Sequence, residues 1–187
     1  MAGPSRKMRL DSEQTNAQRL YSDANVTAQD APSELCFRPS RIVSGGQTGV
    51  DRGALDAAIE LKIPHGGWCP AGRMAEDGTI PDRYDLQDNG FANYPARTRQ
   101  NVVDSDATLI LYGKRVGDGT RLTNRICEKA NRPCLMLSID DDSAIQQLRL
   151  WLSEQRPATL NVAGSRESSS PGIERQTKSM LVKCLSQ

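Results

Sequence analysis

The sequence predicts an α/β domain of three layers, with a mainly parallel sheet of about five or more strands between two layers of helices. Two observations carry that prediction. After residue 41, short apolar runs alternate five times with stretches of helical periodicity, and parallel strands need right-handed crossovers to join them. Three of the runs end in glycine-containing turns, at Gly45, Gly113 and Gly164, that lead straight into helical patterns. In such a sheet every strand-to-helix turn lies along the carboxyl edge, where ligands bind.

Residues 1–40 differ from the rest. They are rich in Ser, Asn, Gln and Asp, carry five basic and five acidic residues, and hold only isolated apolar side chains. They read as a flexible extension with, at most, a short helix over 12–21. Asp11 and Glu13 argue against a transit peptide. The folded domain is therefore expected over 41–187.

The first apolar run, Ile42 and Val43, precedes a helix over 50–62 with Val50, Ala54, Ala57, Ala58 and Leu61 on one stripe and Leu55 and Ile59 beside it. A stripe that wide suits a helix packed on a sheet. A second strand is expected over 63–69. Residues 70–96 then form an irregular segment of about 27 residues, longer than ordinary connections and suited to a lid or binding loop. A short helix over 97–104 leads to a buried strand over 107–112. The next helix is marked by Leu122, Ile126, Cys127 and Ala130. A buried strand over 134–139 follows, then a helix opened by Asp140, Asp141 and Asp142, with Ile145, Leu148 and Leu152 inward. A last strand over 159–163 leads to a terminal helix traced by Ile173, Thr177, Met180, Leu181 and Cys184.

The turns carry the candidate chemistry. In Gly45-Gly46-Gln47-Thr48-Gly49, three glycines remove side chains from the path of a ligand, and the first amides of the following helix have no intrahelical partner. That combination suits a phosphate, although the spacing matches neither the P-loop nor the dinucleotide fingerprint. Gly117, Gly119 and Thr120 repeat the arrangement after the strand at 107–112. Gly164, Ser165, Arg166 and Ser168, with Ser169, repeat it after the last strand. Three convergent turns with hydroxyls from Thr48, Thr120, Ser165 and Ser168 suit a multiply charged phosphorylated small molecule. Arg52, Lys114, Arg115 and Arg166 add cationic contacts. Asp51, Glu76 and Asp77 are the carboxylates best placed near such a pocket. A side chain at position 46 is expected to obstruct the anion while leaving the fold intact.

Other chemistries find less support. With 24 basic and 23 acidic residues and a net charge of +1, no bulk field attracts nucleic acid or anionic lipid. No apolar run reaches the roughly 18 residues that span a membrane, and no signal-peptide core is present, so a soluble cytoplasmic protein is expected. The five cysteines include no C-x-x-C pair, and His65 is the only histidine. Neither a disulfide framework nor a structural zinc site is expected; the oxygens of Asp51, Glu76 and Asp77 are of the type that holds magnesium, but no metal is assigned. Cys69 and His65 read as structural, and Asp104 and Asp106, flanking Ser105 before a strand, read as local caps at the opposite edge.

Several stretches closely resemble one family. They are residues 44–56 (SGGQTGVDRGALD), 65–73 (HGGWCPAGR), 75–78 (AEDG), 104–106 (DSD) and 161–168 (NVAGSRES). The resemblance is to the molybdenum carrier proteins, the circularly permuted YpsA-like branch of the SLOG superfamily, and spans essentially residue 41 to the C-terminus. It implies a Rossmann-like fold, homo-oligomerisation and binding of molybdenum cofactor (molybdopterin), a phosphate-bearing pterin with a dithiolene-bound metal. The protein would hold it between the cofactor-synthesis proteins and the molybdoenzymes that receive it. A nucleotide would satisfy the same turns. Other members of the superfamily hydrolyse a nucleotide N-glycosidic bond through P-G-G-x-G-T-x-x-E. Here that stretch runs from Val116 to Thr123, and Thr123 at the glutamate position offers no carboxylate for acid–base work. The arginine that those enzymes carry on the helix before the preceding strand has a counterpart in Arg97, with Thr98 and Asn101 nearby. Binding without catalysis is the main expectation, and Arg97 and Glu76 are the candidate catalytic residues if the chain is an enzyme of the second kind.

Overall fold

The computed structural model describes residues 37–88, 90 and 94–186. The extension expected over 1–40 therefore lies outside the described residues except for its last four positions. Those four belong to the folded body: Phe37 packs against the core, the Arg156 guanidinium stacks on its ring at 4.9 Å, and Arg38 donates to the Leu61 carbonyl.

Five parallel strands form the central sheet: β1 (Arg41–Val43), β2 (His65–Gly66), β7 (Ala107–Tyr112), β8 (Cys134–Ser138) and β9 (Thr159–Gly164), in the order β2-β1-β9-β7-β8. Helices α1 (Val50–Glu60), α2 (Tyr94–Val103), α3 (Asp118–Lys129), α4 (Ala144–Gln155) and α5 (Ile173–Leu185) cover it. The strand order fixes the layers. The steps β1 to β2 and β8 to β9 run one way along the sheet and β2 to β7 and β7 to β8 the other. Right-handed crossovers then place α1 and α4 on one face and α2 and α3 on the other. Packing agrees: α5 lies against α1 and α4, and α2 against α3. The predicted Rossmann-like three-layer class is the one observed.

The two faces are chemically different. Ile42, Leu109, Leu111, Leu137, Leu160 and Val162 point toward α1, α4 and α5 and join one aliphatic core with Val50, Ala54, Leu148, Leu152, Ile173 and Leu181. On the other face, Thr108 pairs in register with Asn161 and with Cys134. The buried side chains of α3 there are Thr120, Thr123 and Cys127, whereas the expected stripe residues Leu122 and Ile126 are only half-buried. A helix lying on a polar sheet face buries threonine in place of leucine. The strand over 134–138 is likewise less buried than its apolar run suggests, with Met136 39% exposed, because β8 is an edge strand.

Two expectations need correction around the long segment. The second strand breaks at Gly67, whose φ of 125° turns the chain. A Cβ there would lie 2.2 Å from the Ser44 carbonyl oxygen. The far side of the break, β3 (Trp68–Cys69), pairs with β6 (Gln87–Asp88) away from the main sheet. Between them, residues 70–88 are not a structureless lid. They hold a 3-10 turn (Ala71–Arg73) and a hairpin of β4 (Met74–Ala75) and β5 (Gly78–Thr79). Ile80, Tyr84 and Leu86 pack on Leu55 of α1 and on Cys69 as a second core. Arg73 ties the excursion together, donating to the carbonyls of Ile80 (3.3 Å), Pro81 (3.0 Å), Tyr84 (3.0 Å) and Leu86 (2.9 Å).

Candidate functional site

The strands diverge in helix direction between β1 and β7, and β9 sits between them. Its carboxyl end is therefore the topological switch point, where an open α/β sheet forms its crevice. A small cleft lies there, lined by Gly45 and Asp51 after β1, Arg97, Thr98 and Asn101 of α2, Thr123 of α3, and Asn161, Ala163 and Gly164 of β9. Every polar side chain in that lining is more than nine-tenths buried. The volume, about 10 Å³, admits roughly one water.

Gly45 and Arg97 make the cleft possible together. A Cβ at Gly45 would lie 1.2 Å from Arg97 Nη1, so the missing side chain is the space through which the arginine passes from α2 to reach Asp51 on α1, at 3.3 Å. Burial pushes the Asp51 carboxyl above its ordinary value, opposed by the Arg97 charge and by the Gln47 amide that donates to it. Asn101 faces the cleft from a fixed position, because its side chain accepts from the Trp68 amide (2.8 Å) and donates to the Trp68 carbonyl (3.1 Å). Thr123, at the position where a glycosidase would carry glutamate, does face this cleft, and its hydroxyl donates to the Gly119 carbonyl at 3.0 Å.

The three predicted turns do meet, but the first does not present its amides as expected. Gln47 N–H donates to Asp51, Thr48 N–H to the Gln47 side chain and Gly49 N–H to Glu174, each at 3.2 Å, and Val50 N–H to the Ser165 carbonyl at 3.1 Å. The seat expected for an external anion at the start of α1 is filled by the protein's own oxygens. Glu167 does the same for α5, accepting from Gly172 and Glu174 amides. The start of α3 is different: its N-cap, Gly117, makes no side-chain cap, and a Cβ there would meet nothing within 4 Å. Gly117 and Gly119 are exposed beside Lys114 and Arg115, while Thr120 is buried. This turn adjoins the last one, since a Cβ on Gly113 would lie 2.8 Å from Ser170 Oγ.

The remaining glycines serve packing. Gly49, with φ of 83°, leaves room for the Ser165 carbonyl and the Glu167 amide. Gly164 lies so close to the Leu111 carbonyl that a Cβ would sit 1.9 Å from its oxygen. Gly46, with φ of 76°, faces Leu86 and Ile80 of the second core and not the cleft, which overturns the expectation that a side chain at 46 would obstruct a ligand and spare the fold.

Arg52 also departs from its expected role as a ligand contact. It is buried, with its guanidinium paired to both oxygens of Asp77 (2.5 and 2.7 Å) and its Nε donating to the Gly46 carbonyl. Asp77 and its neighbour Glu76 form the tip of the β4–β5 hairpin. The Glu76 carboxylate accepts from the Thr48 hydroxyl, from the Ser168 amide (3.2 Å) and from the Ser168 hydroxyl (2.7 Å), with Arg166 Nη1 at 3.9 Å. Burial alone would raise its pKa, yet these hydrogen bonds outweigh burial and hold it below its ordinary value. Thr48, Arg166 and Ser168 are thus brought together as predicted, around an acid that the sequence placed only loosely. This hairpin is not among the elements expected from the sequence, although the Asp77-Gly78 dipeptide is a turn signal that marks its tip.

Residues predicted to be structural are so placed. His65 Nε2 accepts from the Asp85 amide at 3.3 Å, Cys69 is buried, Asp104 accepts from the Trp68 indole at 2.7 Å and Asp106 from the Thr159 amide at 2.8 Å. Among the described residues no helix is long and apolar enough to cross a membrane.

Comparison with known proteins gives two findings. The model of the circularly permutated YpsA SLOG family matches residues 42–185. The chain is also similar to a crystal structure from Syntrophus aciditrophicus SB named "Putative molybdenum carrier protein", at 39% identity with a TM-score of 0.76, covering 80% of this chain and 96% of that one. No protein of curated function matches.

Proposed function

We propose, for a chain that belongs to the circularly permutated YpsA SLOG family, that it binds a phosphorylated small molecule, molybdenum cofactor foremost, and holds it without transforming it. The observation that carries this reading is the buried polar cleft at the switch point, where the Arg97–Asp51 pair lies under side-chain-free Gly45 with Thr98, Asn101, Thr123 and Asn161 around it. These buried groups are bonded to one another and to the backbone, which holds a polar surface in a fixed arrangement at the edge of the sheet where ligands bind. The name of the similar Syntrophus protein points to the same ligand class.

The residues fit such a cofactor in two respects. Its phosphate finds cationic and hydroxyl partners at the rim, from Lys114, Arg115, Arg166 and Ser168, with the Arg97 charge buried in the cleft beneath, and uncapped amides at the start of α3. The metal of that cofactor is carried on its own dithiolene sulfurs, so the chain need supply no ligand to it. When bound, the cofactor supplies a redox-active metal; the chain supplies orientation and shielding from solvent. We further propose a homo-oligomer that exchanges the cofactor with molybdoenzymes or cofactor-synthesis proteins.

A second reading, hydrolysis or transfer on a nucleotide, draws on one observation: Arg97 and Thr123, the two positions of the glycosidase half-motif, face the same cleft, with the Asp51 carboxylate beside Arg97. One experiment separates the two. Elemental analysis and mass spectrometry of the purified protein are expected to find molybdenum and an oxidised pterin, with no base or ribose phosphate released from added nucleoside monophosphates. Release of free base that Arg97→Ala abolishes would replace the first reading by the second. Light scattering of the same preparation tests the oligomer, and a monomer mass would remove that part.

A further inference from the structure

We propose that Thr48, Arg166 and Ser168 form a seat for a tetrahedral oxyanion, such as a phosphate group, and that Glu76 at the tip of the β4–β5 hairpin is its built-in competitor. The inference deepens the ligand-binding reading above and rests on it.

The donor set is the argument. The Glu76 carboxylate is gripped by a hydroxyl from the turn before α1, a hydroxyl and an amide from the turn before α5, and a guanidinium from the same turn. Those donors come from two separate strand-to-helix turns that meet at the carboxyl edge. Hydroxyls, an amide and an arginine converging on oxygen are what recognises a phosphate, and a phosphate brings at least three acceptor oxygens where a carboxylate brings two.

The occupant is also removable. The Glu76 side chain is 22% exposed, and the hairpin does not depend on it. The Glu76 amide donates to Gln47 Oε1 at 2.9 Å, Asp77 grips Arg52, and Arg73 anchors the residues that follow. Rotation about the side-chain torsions of Glu76 therefore vacates the seat while the hairpin stays docked. An internal competitor lowers the apparent affinity by the fraction of time that it occupies the seat, so removing it tightens anion binding.

Calorimetric titration of the full chain with inorganic phosphate tests this. Glu76→Ala is expected to tighten phosphate binding about tenfold or more over the unaltered chain. Adding Ser168→Ala and Arg166→Ala is expected to remove that gain. Unchanged or weaker phosphate binding in a folded Glu76→Ala protein overturns the proposal. Should that variant unfold, Glu76→Ser, whose side chain is too short to occupy the seat, carries the same expectation and the same refutation. The outcome is separable from the functional reading. Phosphate tightened by Glu76→Ala with no phosphorylated compound copurifying leaves the seat standing and removes the proposed function. A copurifying pterin with no effect of Glu76→Ala does the reverse.

Discussion

A methyl group at position 45 would sit 1.2 Å from Arg97 Nη1 and 2.7 Å from Asp51 Oδ2, so Gly45→Ala forces the arginine out of its slot. The clash is with the end of a long side chain, and the backbone has no need to move. The loss is instead the buried ion pair, which leaves Asp51 without its countercharge at a cost of about 3 kcal/mol. Thermal unfolding and ligand titration of this variant are expected to show both lower stability and lost binding. Gly46→Val should behave differently. A β-branched residue at φ 76° is strained, and its side chain would run into Leu86 at 2.5 Å. Destabilisation of about 2–4 kcal/mol is expected from strain and overpacking together. Gly117→Ala meets nothing and should change stability by no more than about 0.5 kcal/mol. Equal effects at 45 and 117 would show that the slot is not what Gly45 is for. Glycine content alone marks all three positions in the sequence. What separates them is the tertiary neighbour, which no local pattern reveals.

At the level of elements, α1 and α5 cross at Gly53, where a Cβ would lie 2.3 Å from the Glu174 carbonyl oxygen and 2.9 Å from Thr177 Cβ. Alanine raises helix propensity by about 1 kcal/mol, but overpacking against backbone costs about 1–3 kcal/mol, so Gly53→Ala should destabilise on balance. Thr177 gives the opposite sign. It is fully buried and its hydroxyl has no hydrogen-bond partner among the described residues, so the near-isosteric Thr177→Val is expected to stabilise by about 1 kcal/mol. Urea unfolding of the two variants checks both signs. The helices and main strands were legible because their apolar period is strong: α5 buries the five residues that its stripe named. The excursion over 70–88 was not legible, because its order comes from one arginine bonding four carbonyls and from three apolar residues spaced without a period. The polar buried face of α3 was missed for a related reason. Threonines facing Thr108 and Asn161 look, in sequence, like a solvated surface.

Across the whole molecule, the carboxylates of the rim set opposing responses to acid. Hydrogen bonds from Thr48 and Ser168 outweigh burial and hold Glu76 below its ordinary 4.5, and the Arg52 contact holds Asp77 below its ordinary 3.8. A carboxyl with a depressed folded value stabilises the fold above its unfolded value and loses that contribution as pH falls through the folded one. Asp51 works in reverse. Burial raises it above 3.8 despite Arg97, so its contribution is full below the unfolded value and is lost as pH rises through the folded one. The slope of unfolding midpoint against pH, measured from about pH 6 to pH 3 so as to bracket the ordinary carboxyl values, should therefore divide the variants. Glu76→Gln should fall less steeply into acid than the unaltered chain, because it has no carboxylate to lose. Asp51→Asn should fall more steeply, because it lacks the group whose protonation favours the folded state. Absolute stability does not enter the comparison, so the cost of leaving Arg97 without a carboxylate in the second variant does not obscure it. Identical slopes for Glu76→Gln and the unaltered chain would mean that the hairpin tip does not hold an ionised carboxylate against the two turns.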